Sequence, residues 1–507
     1  MAQAYPIGRA QSGSDSTRIA RGKARKLITV KIAAADADDD PAMKTASYRV
    51  DPQLLGRYER SGPRYTSYPT APQFHTRFGP AALCENARAS NDEPIPRALS
   101  LYVHVPFCFG PCFYCACTKV ITRDRRRAAP YVRRLLKEAG LIAPRFDQDR
   151  EVVQLHLGGG TPNFLDCAEI AELIEGLRKL FTFAREAVRD FSIELDPRSV
   201  TPGDIAELVG MGFNRASLGV QDFDSRVQEA VNRTQSVEET LAILDACRRH
   251  GMRSVNVDLI YGLPCQTLDG FAQTLDVLTA ARPERLAIYS YAHMPTLFKP
   301  QTRIRQEDLP GPSEKALLLQ LAIEKLSQAG YRYIGMDHFA LPSDDLARSQ
   351  AQGSLQRNFM GYTTHAQADL LGLGVSAISH VGYSYSQNHR ELGLWENAID
   401  SSRLPTARGM QMNADDVLRA DLIQQLMCQG QIDIAALERR YGIEFKTYFA
   451  PDLERLSELR NDQLVVQNTA RIEVTEAGRL LLRIVAACFD HYLHQPHDEL
   501  GKMPNAH

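Results

Sequence analysis

Four cysteines lie within one short stretch, HVPFCFGPCFYCACTKV, at Cys108, Cys112, Cys115 and Cys117. The other six of the ten cysteines are isolated along the chain. Such a cluster, without a disulfide framework, indicates metal or redox chemistry in a reducing cytoplasm. Four thiolates could bind a structural zinc, or the first three could hold an iron–sulfur cluster with one iron left open. The absence of a second C-x2-4-C pair favours the iron–sulfur cluster.

A strand-like segment, LSLYVHV, precedes the cysteines and begins a regular alternation of strands and helices. Six strand-like segments alternate with amphipathic helical patterns: LSLYVHV, VVQLHL, DFSIEL, NRASLGV, SVNVDLIYG and RLAIYSY. The helical patterns include YVRRLLKEAGLIA, CAEIAELIEGLRKLF, VEETLAILDACRRHG and LDGFAQTLDVLTAA. Six βα repeats predict a parallel sheet with right-handed crossovers, in the α/β class.

Polar side chains follow one face of several predicted strands. Glu194 and Asp196 share a face of DFSIELD, and Asn256 and Asp258 share a face of SVNVDL, whereas the opposite faces are apolar. Strands of an open sheet that is buried on both faces are apolar almost throughout. A partial (β/α)6 barrel over 99–300, with a polar ligand at its C-terminal mouth, explains the pattern better.

The remaining chain divides into four further segments. Residues 1–46 are predicted to be a disordered tail, and 47–98 an N-terminal arm. Residues 301–412 are predicted to extend the barrel with a helix near 311–329, one strand (YRYIGM) and irregular connections. Residues 413–507 are predicted to form a mainly helical, winged-helix-like domain with two short strands, QLVVQ and RIEVT.

Composition excludes several classes of protein. The 59 basic and 61 acidic side chains give a net charge of −2. The sequence has no stripe of basic residues of the kind that would indicate nucleic-acid binding. The longest apolar runs, such as LLLRIVAACF, are shorter than the roughly 18 residues that a membrane span needs. We therefore expect a cytoplasmic protein with no membrane span, and a monomer.

Two motifs together resemble a known superfamily. The C-x3-C-x2-C spacing after the first strand of a six-fold βα repeat resembles the signature of radical S-adenosylmethionine (SAM) enzymes. GGGTP, at the end of the second strand, resembles their glycine-rich segment. Further segments in unbroken order, including RYTSYPT, CAC, IELDPRSV, DLIYGLP and GYTTHAQADLLGLGVSAIS, resemble the oxygen-independent coproporphyrinogen III oxidase family.

This resemblance implies a reaction and its reactants. A 4Fe–4S cluster would reductively cleave SAM to a 5′-deoxyadenosyl radical, which removes hydrogen from a propionate of coproporphyrinogen III. Loss of carbon dioxide and one electron leaves a vinyl group, and reaction at two propionates gives protoporphyrinogen IX. The resemblance also implies two SAM molecules, an electron donor such as flavodoxin or ferredoxin, and an unidentified electron acceptor.

The resemblance assigns roles residue by residue. Cys108, Cys112 and Cys115 match the cluster ligands, and Tyr102, His104 and Cys117 are candidate catalytic residues. Positions for the first SAM are matched by Tyr102, Gly159, Glu194 and Ile378. Positions for the second SAM are matched by Tyr114, Gly160, Thr161, Gln221, Arg233, Asp258 and Ala292. For His104, a structural role stays as open as a functional one, and Cys117 is not expected to bind iron.

Three other functions are compatible with parts of the pattern. A haem chaperone could use the same barrel, although the extra cysteine of CAC and the RYTSYPT arm disfavour it. A related radical enzyme could alkylate or open haem. A structural zinc protein is the last alternative, and it would need Cys117 as its fourth ligand.

Overall fold

The computed structural model describes residues 57–58, 62–365 and 367–494. The predicted tail over 1–46 lies outside these residues, as does the beginning of the predicted arm. No helix within the described ranges has both the length and the apolar character needed to cross a bilayer.

The predicted six-stranded parallel unit is present. Its strands pair in chain order and in parallel, each with the next. Their bounds are β1 (Leu99–Val105), β2 (Val152–Gly159), β3 (Asp190–Leu195), β4 (Arg215–Gln221), β5 (Ser254–Tyr261) and β6 (Arg285–Ser290). The C-terminal ends of these strands therefore meet at one edge, which confirms the architecture inferred from the alternating faces.

Helices precede these strands or alternate with them along the chain. Their bounds are α1 (Pro80–Ala89), α2 (Ala128–Ile142), α3 (Cys167–Leu180), α4 (Pro202–Gly210), α5 (Ser225–Ala230), α6 (Val237–Arg249) and α7 (Leu268–Ala281). The four predicted helices are α2, α3, α6 and α7. The sequence analysis missed α4 and α5 because nine and six residues are too few to show a helical period. A capping box between Thr201 and Asp204 begins α4, and two orphan N–H groups are satisfied there.

The segment 301–412 is more regular than predicted. It adds six strands to the sheet: β7 (Arg332–Gly335), β8 (His338–Ala340), β9 (Asp369–Leu373), β10 (Ile378–Val381), β11 (Ser384–Asn388) and β12 (Thr406–Gln411). The twelve strands run in the order β12-β11-β10-β9-β1-β2-β3-β4-β5-β6-β8-β7, with β9 parallel to β1. The prediction of irregular connections was wrong because strands such as β11 are polar in sequence yet wholly buried.

Three further helices and two small two-stranded ribbons lie before the C-terminal region. The helices are α8 (Pro312–Gln328), which the sequence predicted, α9 (Asp345–Ala351) and α10 (Leu392–Asp400). One ribbon pairs Phe107–Cys108 with Val120–Ile121 and closes the cysteine loop. The other pairs Gln356–Asn358 with Gly361–Thr363 and is called the 356–363 ribbon below. Single 3-10 turns lie at Ala71–Gln73, Arg125–Arg127, Ala143–Arg145, Pro162–Phe164, Pro197–Ser199, Lys299–Arg303, Gln306–Asp308 and His491–Leu493.

The C-terminal region is mainly helical with a three-stranded sheet. Its elements are α11 (Ala414–Gln429), β13 (Gln431–Asp433), α12 (Ile434–Tyr441), α13 (Phe445–Tyr448), α14 (Ala450–Asn461), β14 (Val465–Gln467), β15 (Arg471–Val474), α15 (Glu476–Arg479) and α16 (Leu482–Ala487). The two predicted strands are β14 and β15, and β13 was missed. Tyr58, Tyr65 and Tyr68 pack into the core of this region, so residues of the arm connect it to the barrel.

Candidate active site

The cysteine loop leaves β1 at the C-terminal edge of the parallel strands. Cys108 ends a strand of the small ribbon that Val120–Ile121 completes, and the loop between them carries the other three cysteines. No described residues place three Cys, His, Asp or Glu side chains close enough to bind a single metal ion.

Hydrogen-bond donors approach two of the cysteine sulfurs. The Thr161 hydroxyl donates to Sγ of Cys108 at 3.3 Å. Nη1 of Arg233 lies 3.6 Å from Sγ of Cys112, and Nη2 of Arg198 lies 4.0 Å from the same atom. Cationic donors stabilise thiolates, which are the form that binds iron. Two of the three cysteines of the C-x3-C-x2-C motif thus have donors beside their sulfurs, which fits the ligand set of an iron–sulfur cluster.

The protonation of these thiols differs along the loop. Burial raises the pKa of Cys108 to about 12, so iron binding at this residue must displace a proton. Hydrogen bonding between the Cys115 and Cys117 side chains lowers the pKa of Cys115 and raises the pKa of Cys117. Cys115 is thus the thiolate of that pair, and Cys117 the protonated partner.

A cavity lies between β1, β2, β3 and the segment after β9. Six of the residues predicted for the site line it: Tyr102, His104, Cys117, Gly159, Glu194 and Ile378. The structure therefore brings together the four positions matched to the first SAM with the three candidate catalytic residues.

His104 holds Tyr102 in position within this cavity. Burial lowers the pKa of His104 to about 4, so the imidazole is neutral at neutral pH and carries one N–H. The carbonyl oxygen of Thr118 lies 3.0 Å from Nε2 and can only accept, which places the proton on Nε2. Nδ1 therefore accepts from the Tyr102 hydroxyl at 3.0 Å. His104 thereby joins the end of the cysteine loop to β1.

Glu194 is an ionised carboxylate in the same cavity. It accepts a hydrogen bond from the Gly159 N–H at 3.1 Å and lies 3.3 Å from Nε2 of His156. Burial opposes ionisation, but the interactions with His156 outweigh it and lower the pKa of Glu194 to about 2. A buried anion of this kind suits a cationic or hydrogen-bonding ligand.

The glycines of GGGTP are required by packing within the chain. Gly159 has a φ of +116°, and a Cβ there would lie 2.6 Å from the His104 ring. A Cβ at Gly160 would lie 2.5 Å from the Pro106 carbonyl oxygen. Contacts within the chain therefore explain why glycine is needed at both positions.

A second cavity lies on the other side of the loop. Among its lining are Tyr114, Gln221, Asp258 and Ala292, which match the second SAM positions. Burial raises the pKa of Asp258 to about 6. The residues Ala116, Cys117, Phe359 and Met360 line both cavities and so separate them.

Three residues matched to the second SAM do not line this cavity. Gly160 donates its N–H to the Val105 carbonyl at 2.8 Å, between the C-terminal ends of β1 and β2. Thr161 and Arg233 contact the sulfurs of Cys108 and Cys112. Arg233 also donates to the Gly219 carbonyl at 2.6 Å, so its position is fixed by the end of β4 as well as by the cysteine loop.

Several residues of the site were not singled out from the sequence. His156 stacks on Tyr102 with ring centroids 5.9 Å apart, and it lies on the same polar strand face as Gln154, so strand alternation could have found it. Arg198, Arg357 and Phe359 lie in loops or short strands and follow no periodic pattern.

The fold and the cysteine loop define a protein of the radical SAM superfamily. Residues 102–278 match the sequence model of the radical SAM superfamily, and residues 412–481 match the sequence model of the HemN C-terminal domain. Membership of this superfamily implies a 4Fe–4S cluster and SAM.

Similarity to individual proteins narrows the assignment. The chain is 49% identical over 448 residues to the oxygen-independent coproporphyrinogen III oxidase of Pseudomonas aeruginosa, across 88% of this chain and 96% of that protein. It is 45% identical over 445 residues to the protein of the same name from Escherichia coli, with the same two coverages. A solved structure, coproporphyrinogen III oxidase (HemN) from Escherichia coli, matches with a TM-score of 0.83 and 43% identity, over 88% of this chain and 100% of that one. The chain belongs to the oxygen-independent coproporphyrinogen III oxidase family.

Proposed function

We propose that this protein decarboxylates coproporphyrinogen III oxidatively and without oxygen, converting two propionates to vinyl groups to give protoporphyrinogen IX. For each propionate, one hydrogen atom, one carbon dioxide and one electron leave the side chain. The observation that carries the proposal is the placement of the cysteine loop between two cavities at the mouth of the parallel strands. Family membership supplies the substrate class.

Cys108, Cys112 and Cys115 would hold the 4Fe–4S cluster. When bound, the cluster and SAM supply one-electron chemistry: reductive cleavage of SAM and removal of a hydrogen atom from carbon. The donors at Thr161 and Arg233 stabilise the thiolates of the loop. The protein's remaining task is to position the reactants and exclude water.

The two cavities would each hold one SAM. In the first, Glu194 would accept from the ligand's amino or ribose groups, while Tyr102, Gly159 and Ile378 shape the wall. In the second cavity, contacts to SAM would come from Tyr114, Gln221, Asp258 and Ala292. Gly160, Thr161 and Arg233 would act indirectly, by holding the neighbouring cysteine loop and strand ends in place. His104 is a positioning residue in this scheme, since both of its ring nitrogens are engaged within the chain.

The substrate carries four propionates, and the cavities offer cations to receive them. Arg390 and Arg408 line the first cavity, and Arg64 and Arg357 line the second. Arg64 also forms an ion pair with Asp337. Guanidinium groups are suited to paired contacts with carboxylates.

The partners follow from the electron balance. A low-potential donor such as flavodoxin or ferredoxin would reduce the cluster, and a separate acceptor would take the electron that each decarboxylation releases. We expect the protein to work as a monomer in the cytoplasm.

The test is product analysis under anoxic conditions. Reconstituted, reduced protein with SAM should convert coproporphyrinogen III to a product lighter by two carboxyl groups and two hydrogens. The variant Cys112→Ala should form no product, whereas Cys167→Ala, on the outer helix α3, should be active. SAM cleavage without any lighter tetrapyrrole would contradict the proposal, and a gain of mass would indicate an alkylating enzyme.

A further inference from the structure

Arg357 is a buried cation with no acidic partner in the part of the chain that the structure describes. Arg357 is 5% exposed and lies in the first strand of the 356–363 ribbon. Its Nε and Nη1 have no hydrogen-bond partner, and no carboxylate among the described residues lies within ion-pair distance. The guanidinium carbon stands 4.7 Å from the centre of the Tyr362 ring, which orients the group but does not neutralise its charge.

This arrangement is costly unless another group neutralises the charge. A buried charge that is neither paired nor hydrogen-bonded destabilises the folded state. The other buried arginines of the described residues have acidic partners: for example, Arg150 pairs with Asp369 at 2.6 Å, and Arg215 pairs with Asp190 at 2.9 Å. Among the described residues, Arg357 therefore differs from them in having no acidic counter-ion.

The side chain of Arg357 faces the second cavity, whose acidic residue, Asp258, is already hydrogen-bonded to other residues of the chain. Arg357 lines that cavity together with His338, whose Nδ1 is also buried without a partner. Asp258, the carboxylate of the same cavity, accepts from the Ser217 hydroxyl at 2.8 Å and from Nδ2 of Asn256 at 2.9 Å. The free donors of Arg357 are thus left for a ligand.

We propose that Arg357 binds a carboxylate group of a ligand in the second cavity, through the paired N–H donors of its guanidinium. This inference rests on the proposed function, in which both reactants carry carboxylates: the propionates of the tetrapyrrole and the amino-acid end of SAM. Arg357 is a binding residue here, and it takes no part in bond making or breaking. A planar fork of N–H donors fits a carboxylate, whereas a lysine would offer only a point charge.

The test compares three variants of the reconstituted protein by equilibrium binding, without turnover. Arg357→Met keeps the apolar stem against Tyr362 and removes the charge, and Arg357→Lys keeps the charge and removes the fork. Arg348→Met is the matched control, because Arg348 is 56% exposed in its side chain and pairs with Asp345. The two probes are SAM and coproporphyrin III, the fluorescent oxidised form that keeps all four propionates.

We expect Arg357→Met to lower the affinity for one of the two probes by about tenfold or more, and Arg357→Lys to lower that affinity by less. Arg348→Met should leave the affinities for both probes unchanged. Weaker coproporphyrin III binding assigns the carboxylate to a propionate. A loss of the second equivalent of SAM assigns it to SAM. Unchanged affinities for both probes in Arg357→Met would overturn the inference.

The thermal stability of the ligand-free variants separates this role from a structural one. Removal of an unpaired buried charge should leave the melting temperature of Arg357→Met equal to or above that of the natural protein. A lower melting temperature with unchanged ligand affinity would show that Arg357 serves the fold and overturn the inference. If the natural protein binds neither coproporphyrin III nor a second SAM, the proposed function itself has failed, and a variant is not needed to show it.

Discussion

The Glu194 carboxylate accepts a hydrogen bond from the Gly159 N–H at 3.1 Å, across the C-terminal ends of two strands of the barrel. The backbone can make this contact because Gly159 adopts a φ of +116°, which side-chain-bearing residues rarely do. The carboxylate is therefore held in place before any ligand arrives, with its charge facing the first cavity.

Replacement of Glu194 by glutamine should weaken SAM binding. The amide oxygen can still accept from Gly159, so the fold is kept, but the negative charge is lost. Loss of one charge-assisted hydrogen bond corresponds to about 1.5–3 kcal/mol, or roughly 10- to 100-fold in affinity. Equilibrium dialysis with the reconstituted protein measures this affinity for SAM. Asp258→Asn is the matched control, and it should leave the first equivalent of SAM bound; unaltered binding in Glu194→Gln would contradict the assignment of Glu194.

The four cysteines of the loop should differ in their effect on iron content. Alanine at Cys108, Cys112 or Cys115 removes one of three ligands, so anaerobically reconstituted variants should lose the cluster and its absorbance. Cys117→Ala should retain about as much iron as the natural protein. Iron analysis per chain checks this, and a Cys117→Ala protein without iron would show that the assignment of ligands is wrong.

His104 should act through the position of Tyr102. His104→Phe removes the hydrogen bonds to the Tyr102 hydroxyl and to the Thr118 carbonyl, each worth about 1 kcal/mol. We expect a lower free energy of unfolding and a rise in the KM for SAM, with the pH dependence of kcat unchanged, since the neutral ring transfers no proton. A pH profile that loses one titrating group in the variant would instead indicate acid–base catalysis by His104.

Glu138 should make the stability of the barrel depend on pH. This buried carboxylate accepts from the Gly374 N–H at 2.8 Å, from Nδ2 of Asn388 at 2.6 Å and from Nε1 of Trp395 at 3.0 Å, and so holds the segment before Ile378. Burial raises the pKa of Glu138 from 4.5 to about 7.

Because the folded-state pKa is the higher one, the contribution of Glu138 is fully present below about pH 4.5 and is lost as the pH rises through about 7. The difference in unfolding free energy between the natural protein and Glu138→Gln should fall by up to about 3 kcal/mol between about pH 5 and about pH 8. Urea unfolding at both values measures it. A difference that does not change with pH would contradict the raised pKa.

The sequence predicted the barrel well, because its strands carry strong local signals. Leu99–Val105 and the five strands that follow alternate or are apolar, and helices such as Leu268–Ala281 show a clear period over three or more turns. The carboxylates at Glu194 and Asp258 could be placed in the interior for the same reason: they oppose apolar residues on a strand. Motif resemblance then supplied the iron ligands.

The parts that the sequence did not predict depend on contacts between distant segments. Ser384–Asn388 is polar, yet it is buried because it pairs with two neighbouring strands. Arg357 and Phe359 reach the cavities from a ribbon of two three-residue strands, too short for any period. Thr161 was matched to SAM, and only the folded chain shows its hydroxyl on the Cys108 sulfur.

The release of labelled carbon dioxide tests the central claim most directly. Coproporphyrinogen III labelled with ¹³C in its propionate carboxyls is incubated without oxygen with the reconstituted protein, an excess of SAM and a low-potential reductant. The account predicts two labelled carbon dioxide molecules per tetrapyrrole converted, and none when Cys108, Cys112 or Cys115 is replaced by alanine. SAM cleavage with no labelled carbon dioxide, or release that persists in those variants, would contradict it.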